Sequence, residues 1–289
     1  MGGLANQMFQ YSVGRALSLR HNTELMLDLS FFQNQNNYTT KREYGLHAFN
    51  IKALLSENIN VRMIGGNRLS KIYLLKYKTL KSFTKDLYLH VREKSFTYDS
   101  EILMLPDNIY LEGYWQSEKY FKHIESIIRN DFTYINETDS DNLKILNRIK
   151  GSESIAIHFR RGDYINNRKT NEVHGICSME YYNSAVDYIA QKVSSPYFFI
   201  YSDDIEWVKR NLSIKYNKMF VDINTPEKAS NDLRLISNCK HQIIANSSFS
   251  WWGAWLNQNP EKIVIAPKKW FMDEKRNTSD LIPEKWIRL

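Results

Sequence analysis

Short apolar runs that read as buried strands recur through the second half of the chain, at residues 155–159, 197–201, 219–221, 242–245 and 263–266. Amphipathic stretches between them predict helices over 179–193, 205–212 and 228–239, with a shorter one over 251–256. Strand alternating with helix signals a parallel sheet covered on both faces. The first half is less regular. Its pattern predicts a helix over 6–20, a short strand over 24–28, a polar loop over 34–40 and another strand over 109–112. The polar segment 136–142 reads as a joint, dividing the chain into an amino-terminal lobe, 1–140, and a more regular carboxyl-terminal lobe, 141–289. Internal repeats and low-complexity stretches are absent.

Composition changes this picture little. A chain of 289 residues holds one large domain or two ordinary ones, and 43% hydrophobic residues suit a globular protein. No run of about eighteen apolar residues is present to span a membrane. The start, Met1-Gly2-Gly3-Leu4-Ala5-Asn6-Gln7, lacks a basic and apolar leader, so a cytoplasmic location is expected. Cys177 and Cys239 lie far apart without a partner motif, against a disulfide framework or zinc site.

The net charge of +7 suits anionic partners. Much of the excess lies between Arg62 and Lys94, where Arg68, Lys71, Lys76, Lys78 and Lys81 alternate with Tyr73, Leu74, Tyr77 and Leu80. Such a stretch is an ordinary helix with solvated lysines, or it rests on an anionic membrane surface. No nucleic-acid module accompanies the charge.

The candidate chemistry gathers at predicted strand ends. In His158-Phe159-Arg160-Arg161-Gly162-Asp163-Tyr164 two arginines follow the 155–159 strand, at the edge where open α/β sheets bind ligands. Their guanidinium forks match phosphate oxygens, so a nucleotide diphosphate is a natural ligand. The competing reading is a surface ion pair between Arg161 and Asp163. Ser202-Asp203-Asp204 also ends a strand and serves equally as a helix cap. Asn246-Ser247-Ser248-Phe249-Ser250 joins a strand to a helix, where hydroxyls and free N–H groups make an anion site or a plain serine cap. Gly2 and Gly3 open the first helix, and Asn6 there caps the helix or holds a sugar hydroxyl. His158 alone reads as a packed strand histidine. No P-loop, dinucleotide fingerprint, Gly-x-Ser-x-Gly elbow or metal-binding Asp-x-Asp is present.

Taken in order, three motifs make the chain resemble the α-1,2-fucosyltransferases of glycosyltransferase family eleven. They are Gly2-Gly3-Leu4-Ala5-Asn6-Gln7-Met8-Phe9-Gln10-Tyr11, His158 to Tyr164, and Asn246-Ser247-Ser248-Phe249-Ser250-Trp251-Trp252-Gly253-Ala254-Trp255-Leu256. Glu112-Gly113-Tyr114-Trp115-Gln116 is a weaker echo. The chain departs from the family at Ala5, where a glycine is usual, and begins at the motif where relatives carry a short strand. Either the true start lies upstream or this lobe lacks an edge strand.

The resemblance implies a two-lobed B-type glycosyltransferase fold with Rossmann-like lobes. The donor is GDP-β-L-fucose, bound by the carboxyl-terminal lobe without cofactor or metal, and the acceptor is a terminal galactoside fucosylated at its 2-hydroxyl with inversion. In the implied site Arg160 meets the departing phosphate, aided by Ser247, Ser248 and the following helix. Arg161 stands second to it, on phosphate or paired to Asp163. Phe249 lies in the same motif, His158 and Asp203 stand beside phosphates or ribose, and Asp232 reads the guanine. Asp163 is the candidate base, and Asn6 holds an acceptor or fucose hydroxyl. A lipid-linked surface polysaccharide on the inner membrane face, as in lipopolysaccharide synthesis, suits such an enzyme. The alternatives are a binder of nucleotide-sugar or glycan with impaired catalysis, and a fucosyltransferase of other linkage.

Overall fold

The computed structural model describes all residues except 36–40, 58–61, 67–76, 78, 81–86, 163–171 and 274, and for 62–66 the backbone alone. The chain divides into two compact units. One comprises Met1–Ile135 with Asn277–Leu281, the other Asn136–Arg276 with Ile282–Leu289. The predicted joint therefore lies at the start of the polar segment, and a five-residue return near the end belongs to the first unit.

In the first unit, α1 (Leu4–His21) precedes β1 (Met26–Asp28), which pairs in parallel with β2 (Leu54–Ser56), and two short helices, α2 (Ser30–Gln33) and α3 (Glu125–Asp131), also belong to it. A separate parallel sheet has the order β3 (Arg62–Gly66), β4 (Leu87–Arg92) and β5 (Ile109–Glu112). The described ends of the basic stretch are thus strands, which corrects the single-helix expectation there; residues 67–76, 78 and 81–86 lie outside the described residues. Along β4, Leu87, Leu89 and Val91 are buried while Tyr88 and His90 are only partly so. That alternation has the period of a strand, not of a helix. The predicted loop over 34–40 is described only at Asn34 and Gln35, neither in a regular element. A cavity of about 740 Å³ lies between β1 and β5, bridged where Tyr110 Oη donates to Asp28 at 2.7 Å.

In the second unit six parallel strands form one sheet, and every strand expected here is present. They are β6 (Glu153–Phe159), β7 (Pro196–Ser202), β8 (Asn217–Phe220), β9 (His241–Ile243), β10 (Val264–Ala266) and the short β11 (Ile287–Arg288). Their spatial order is β8-β7-β6-β9-β10-β11. In chain order that is third, second, first, fourth, fifth, sixth, the doubly wound arrangement whose switch point falls between β6 and β9.

Helices cover both faces because alternate strand residues point to opposite sides. Ile155, Ile157 and Phe159 pack with α5 (Met179–Ala190) and α6 (Ile205–Asn211) through Tyr182, Ala185, Val186, Ile189 and Val208. Ala156, Phe199 and Tyr201 pack on the other side with α4 (Ser140–Lys150) and α7 (Ala229–Asn238) through Ile145, Leu146, Ile149, Leu235 and Ile236. Full burial of one such aliphatic side chain stabilises by about 1.5–3 kcal/mol. The last helix, α8 (Ser248–Leu256), buries Trp251, Trp252 and Trp255. It lies close against α7: a Cβ on Gly253 would stand 2.4 Å from Ile236 Cγ2, so only glycine fits. Among the described residues, no helix is long and apolar enough to cross a membrane.

Candidate functional site

The switch point brings the carboxyl end of β6 beside the turn from β9 into α8. His158 is the last inward residue of β6 on the α7 side, only 5% exposed. Its ring packs against that of Phe249, 5.5 Å between centroids, and Phe249 is the second residue of α8. Burial lowers the His158 pKa to about 4, with Arg160 adding and Asp203 opposing, so the imidazole is neutral at ordinary pH. Its Nδ1 is buried with no hydrogen-bond partner among the described residues. Buried polar atoms are seldom left unpaired, so this nitrogen has a hydrogen bond still to make.

The two arginines separate. Arg160 Nη1 stands 3.0 Å from Asp203 Oδ2 at the end of β7. Arg161 turns to the α6 side, its guanidinium carbon 3.3 Å from the centre of the Trp207 ring and its Nε 3.5 Å from Asp204 Oδ2. The expected partner of Arg161, Asp163, lies outside the described residues, as does its proposed role as base. Among the described residues Trp207 and Asp204 hold Arg161, while Arg160 pairs with Asp203.

The adjacent aspartates divide in the same way. Asp204 is the α6 cap, accepting from Trp207 N–H at 3.4 Å. Asp203 is not the α6 cap: besides pairing with Arg160 it accepts the backbone N–H of Arg161 at 2.8 Å. The parallel pairing sets this correspondence, because Phe159 lies opposite Ser202 and each pair is the next two residues of its chain segment.

At the start of α8 the serine motif forms a cap, which is compatible with an anion site. Ser247 is the cap, its hydroxyl accepting from Phe249 N–H at 3.3 Å, while Ser248 is half-buried in the first turn. The first-turn N–H groups and the helix dipole favour an anion there. Asn246, in contrast, is a structural clasp. Its Nδ2 donates to the carbonyls of His174 (2.8 Å), Gly175 (3.3 Å) and Trp270 (3.2 Å), and its Oδ1 accepts from the Cys177 thiol.

Asp232 lies in the first turn of α7, where its Oδ1 accepts from Asn224 Nδ2 at 2.7 Å. Asn224 and Asn142 exchange paired amide hydrogen bonds of 2.9 Å, and Asn142 donates to Asp139 at the α4 cap. Burial raises the Asp232 pKa to about 6 and the Asn224 contact only partly offsets it. A half-buried carboxylate held by one amide and short of further donors suits a ligand that brings N–H groups. Among the described residues no cluster of three His, Cys, Asp or Glu side chains forms a metal site.

In the first unit, Asn6 is not the helix cap that was one of its two expected roles. Gly3 is the cap of α1, and Asn6 Oδ1 accepts from Gln116 Nε2 at 2.8 Å. Gln7 rather than Asn6 ties the opening motif down, donating to the carbonyls of Gly2 and Glu43 and accepting from Gly45 N–H. Sequence reasoning missed Trp207, Asn224 and Gln116. No periodicity or motif marks the first two, whereas Gln116 ends a quoted motif.

The family model described as Glycosyl transferase family 11 matches residues 2–289. The Alpha-1,2-colitosyltransferase of Escherichia coli is 35% identical over 293 residues, covering all of this chain and 96% of that protein. The bovine Galactoside 2-alpha-L-fucosyltransferase SEC1 is 29% identical over 153 residues, half of this chain and 41% of that protein. Among solved structures, POFUT1 in complex with GDP-fucose superposes with a TM-score of 0.50 at 9% identity, covering 92% of this chain and 95% of that one. The mixed α/β architecture with its parallel sheet is that of the B-type glycosyltransferases, as the sequence resemblance implied.

Proposed function

The chain belongs to glycosyl transferase family 11, and from that premise we propose that it transfers L-fucose from GDP-β-L-fucose to the 2-hydroxyl of a terminal galactoside. The observation that carries this reading is the convergence at the β6–β9 switch point of Arg160, the orphaned Nδ1 of His158 and the α8 amino terminus. These are the groups a departing diphosphate needs.

The acceptor oxygen forms the new bond to the anomeric carbon while the bond from that carbon to the β-phosphate oxygen breaks. The electron pair leaves with GDP and the configuration inverts. Arg160 meets the charge that grows on the β-phosphate, and Ser247, Ser248 and the first-turn N–H groups of α8 stand beside it. His158 donates a hydrogen bond as a neutral imidazole. Asp232 takes the N1 and N2 hydrogens of guanine. The acceptor proton goes to a base, a role proposed for Asp163. The first unit takes the acceptor. The reaction uses no metal in this scheme.

A second reading concerns the donor. The likeness to the colitosyltransferase runs the full length of the chain, and colitose is L-fucose without its 3-hydroxyl. A pocket that hydrogen-bonds that hydroxyl rejects the deoxy sugar by about 10⁴-fold, whereas one that merely encloses it discriminates weakly.

GDP release from GDP-fucose and from GDP-colitose, with and without lactose and in the presence of EDTA, separates the readings. Lactose-dependent release from GDP-fucose under chelation supports the proposal. Release from GDP-colitose alone transfers it to the second reading, and dependence on added Mg²⁺ or Mn²⁺ removes the metal-free scheme. Peripheral contact of residues 62–94 with anionic membranes and a lipid-linked acceptor belong to the same proposal. Failure to float with phosphatidylserine vesicles would remove the membrane contact.

A further inference from the structure

The motif Glu112-Gly113-Tyr114-Trp115-Gln116 lies in the first unit and has no part in donor chemistry. It ends β5 and turns, held by a half-buried carboxylate. Glu93 extends the pairing beyond β4 and β5 through its N–H to the Glu112 carbonyl, 2.8 Å. Its carboxylate then reaches into the turn: Oε2 accepts Tyr114 N–H at 2.7 Å and Oε1 accepts Trp115 N–H at 2.9 Å. Trp115 is buried and left-handed, with φ of 56°, which a bulky residue adopts only when its surroundings impose it. The two N–H bonds and the edge-on packing of its ring against Tyr120, 5.8 Å between centroids, supply that constraint. Ser117 fixes the far side, its N–H on the Trp115 carbonyl at 2.8 Å and its hydroxyl on the Asp280 carbonyl at 2.6 Å. Gln116 is therefore presented from a rigid backbone, and its Nε2 donates to Asn6 Oδ1 at 2.8 Å.

We infer that Gln116 is a positioning residue that makes Asn6 a hydrogen-bond donor only, its amide N–H₂ offered to an oxygen of the acceptor sugar. The inference rests on the reading that the first unit takes the acceptor. With Oδ1 turned toward Gln116, the Asn6 amide presents its two N–H groups on the opposite side. The flank of that nitrogen is kept clear by Gly2, because a Cβ there would stand 2.7 Å from Asn6 Nδ2. Gly2 also has φ of 78°, a conformation open to glycine. An amide that only donates binds a hydroxyl through its lone pair. The hydroxyl proton then stays free to leave toward a base, which is the state a nucleophilic hydroxyl requires.

Replacing Gln116 by Glu reverses the polarity of this contact without removing it: the carboxylate accepts from Asn6 and turns Oδ1 outward. Gln116→Leu merely frees the amide. Asn6→Asp keeps the bond from Gln116 while exchanging the outward N–H₂ for an acceptor oxygen. Steady-state kinetics with lactose as varied substrate, GDP-fucose affinity by calorimetry and a melting curve are measured for each. Expected is a fall of about tenfold or more in kcat/KM for lactose in Gln116→Glu and Asn6→Asp, a smaller fall in Gln116→Leu, and unchanged GDP-fucose affinity.

Lactose kinetics within about twofold of the parent in Gln116→Glu, or an equal loss in Gln116→Leu, overturn the inference. So does a parallel loss of donor affinity. Should Gln116→Glu fail to fold, Asn6→Asp decides. A parent protein that binds GDP-fucose yet transfers to no galactoside refutes the functional reading and this inference with it. Transfer that is indifferent to the substitutions refutes the inference alone.

Discussion

In its proposed role as the reader of guanine, Asp232 should give donor binding a pH dependence whose direction and size follow from its surroundings. Burial raises its pKa to about 6 in the free protein. Guanine N1–H and N2–H₂ donate to the ionised carboxylate and stabilise it, so binding pulls this pKa back down and releases a proton wherever the free side chain is protonated. Affinity is then nearly full above about pH 7 and falls on acidification. At pH 5, one unit below the free value, about one molecule in eleven carries the ionised form, a loss of about tenfold or 1.4 kcal/mol.

The ligand for this test is GDP-fucose rather than GDP. The sugar esterifies the terminal phosphate and removes its own titration near pH 6. Calorimetry at pH 5, 6 and 7, in buffers of different ionisation enthalpy, reads both the affinity and the released proton. Asp232→Asn should bind about tenfold or more weakly at pH 7, because its amide N–H₂ confronts the guanine donors, and its affinity should be flat across the range. The same raised pKa means that the ionised carboxylate costs folding stability above about pH 6. Asp232→Asn should therefore melt higher at pH 8, with the gap closing toward pH 4. Equal affinity of the parent protein at pH 5 and pH 7, without proton release, would refute the assignment of Asp232 to guanine.

Three further outcomes are expected. Arg160→Ala should lower kcat by about 10²–10³-fold, with a smaller effect on GDP-fucose binding, and near-normal turnover would contradict its placement at the leaving group. Trp207→Leu removes the aromatic face beneath Arg161 and should cost about 1–2 kcal/mol of stability, with Trp207→Phe recovering part of it; an unchanged melting curve would show the stack to be inert. Gly253→Ala should destabilise by about 1–3 kcal/mol, because the new methyl meets Ile236, and a melting temperature unchanged or raised would mean that α7 and α8 yield without strain.

The second unit was legible because its strands are short apolar runs bounded by polar turns, a signal that survives without any knowledge of pairing. β11 escaped because two residues carry no period, and α4 because its polar first turn, Ser140 to Asn142, reads as linker. The stretch from Arg62 to Lys94 misled because lysines and aromatics interleave at a spacing that also fits a helix; only the burial of Leu87, Leu89 and Val91 against β5 decides for a strand. At the site, the pair Arg160 and Arg161 was visible, but not that the two part, Arg160 toward Asp203 and Arg161 toward the α6 side. That depends on Trp207 and Asp204, which the folding of β7 and α6 brings to Arg161 from more than forty residues away. Asn6 stood out as a polar residue near a helix start, yet the cap fell three residues earlier, at Gly3, because the chain turns there without help from a side chain.

The contact of 3.0 Å between Arg160 and Asp203 bears on turnover as well as on capture. A guanidinium already neutralised exchanges one counter-ion for another when a diphosphate arrives, so the net attraction is smaller than a bare cation would give. The same exchange runs backward at the end of the cycle, when Asp203 competes with GDP for the arginine. In the role proposed for Arg160, this arrangement would give up some donor affinity and would ease the exit of GDP.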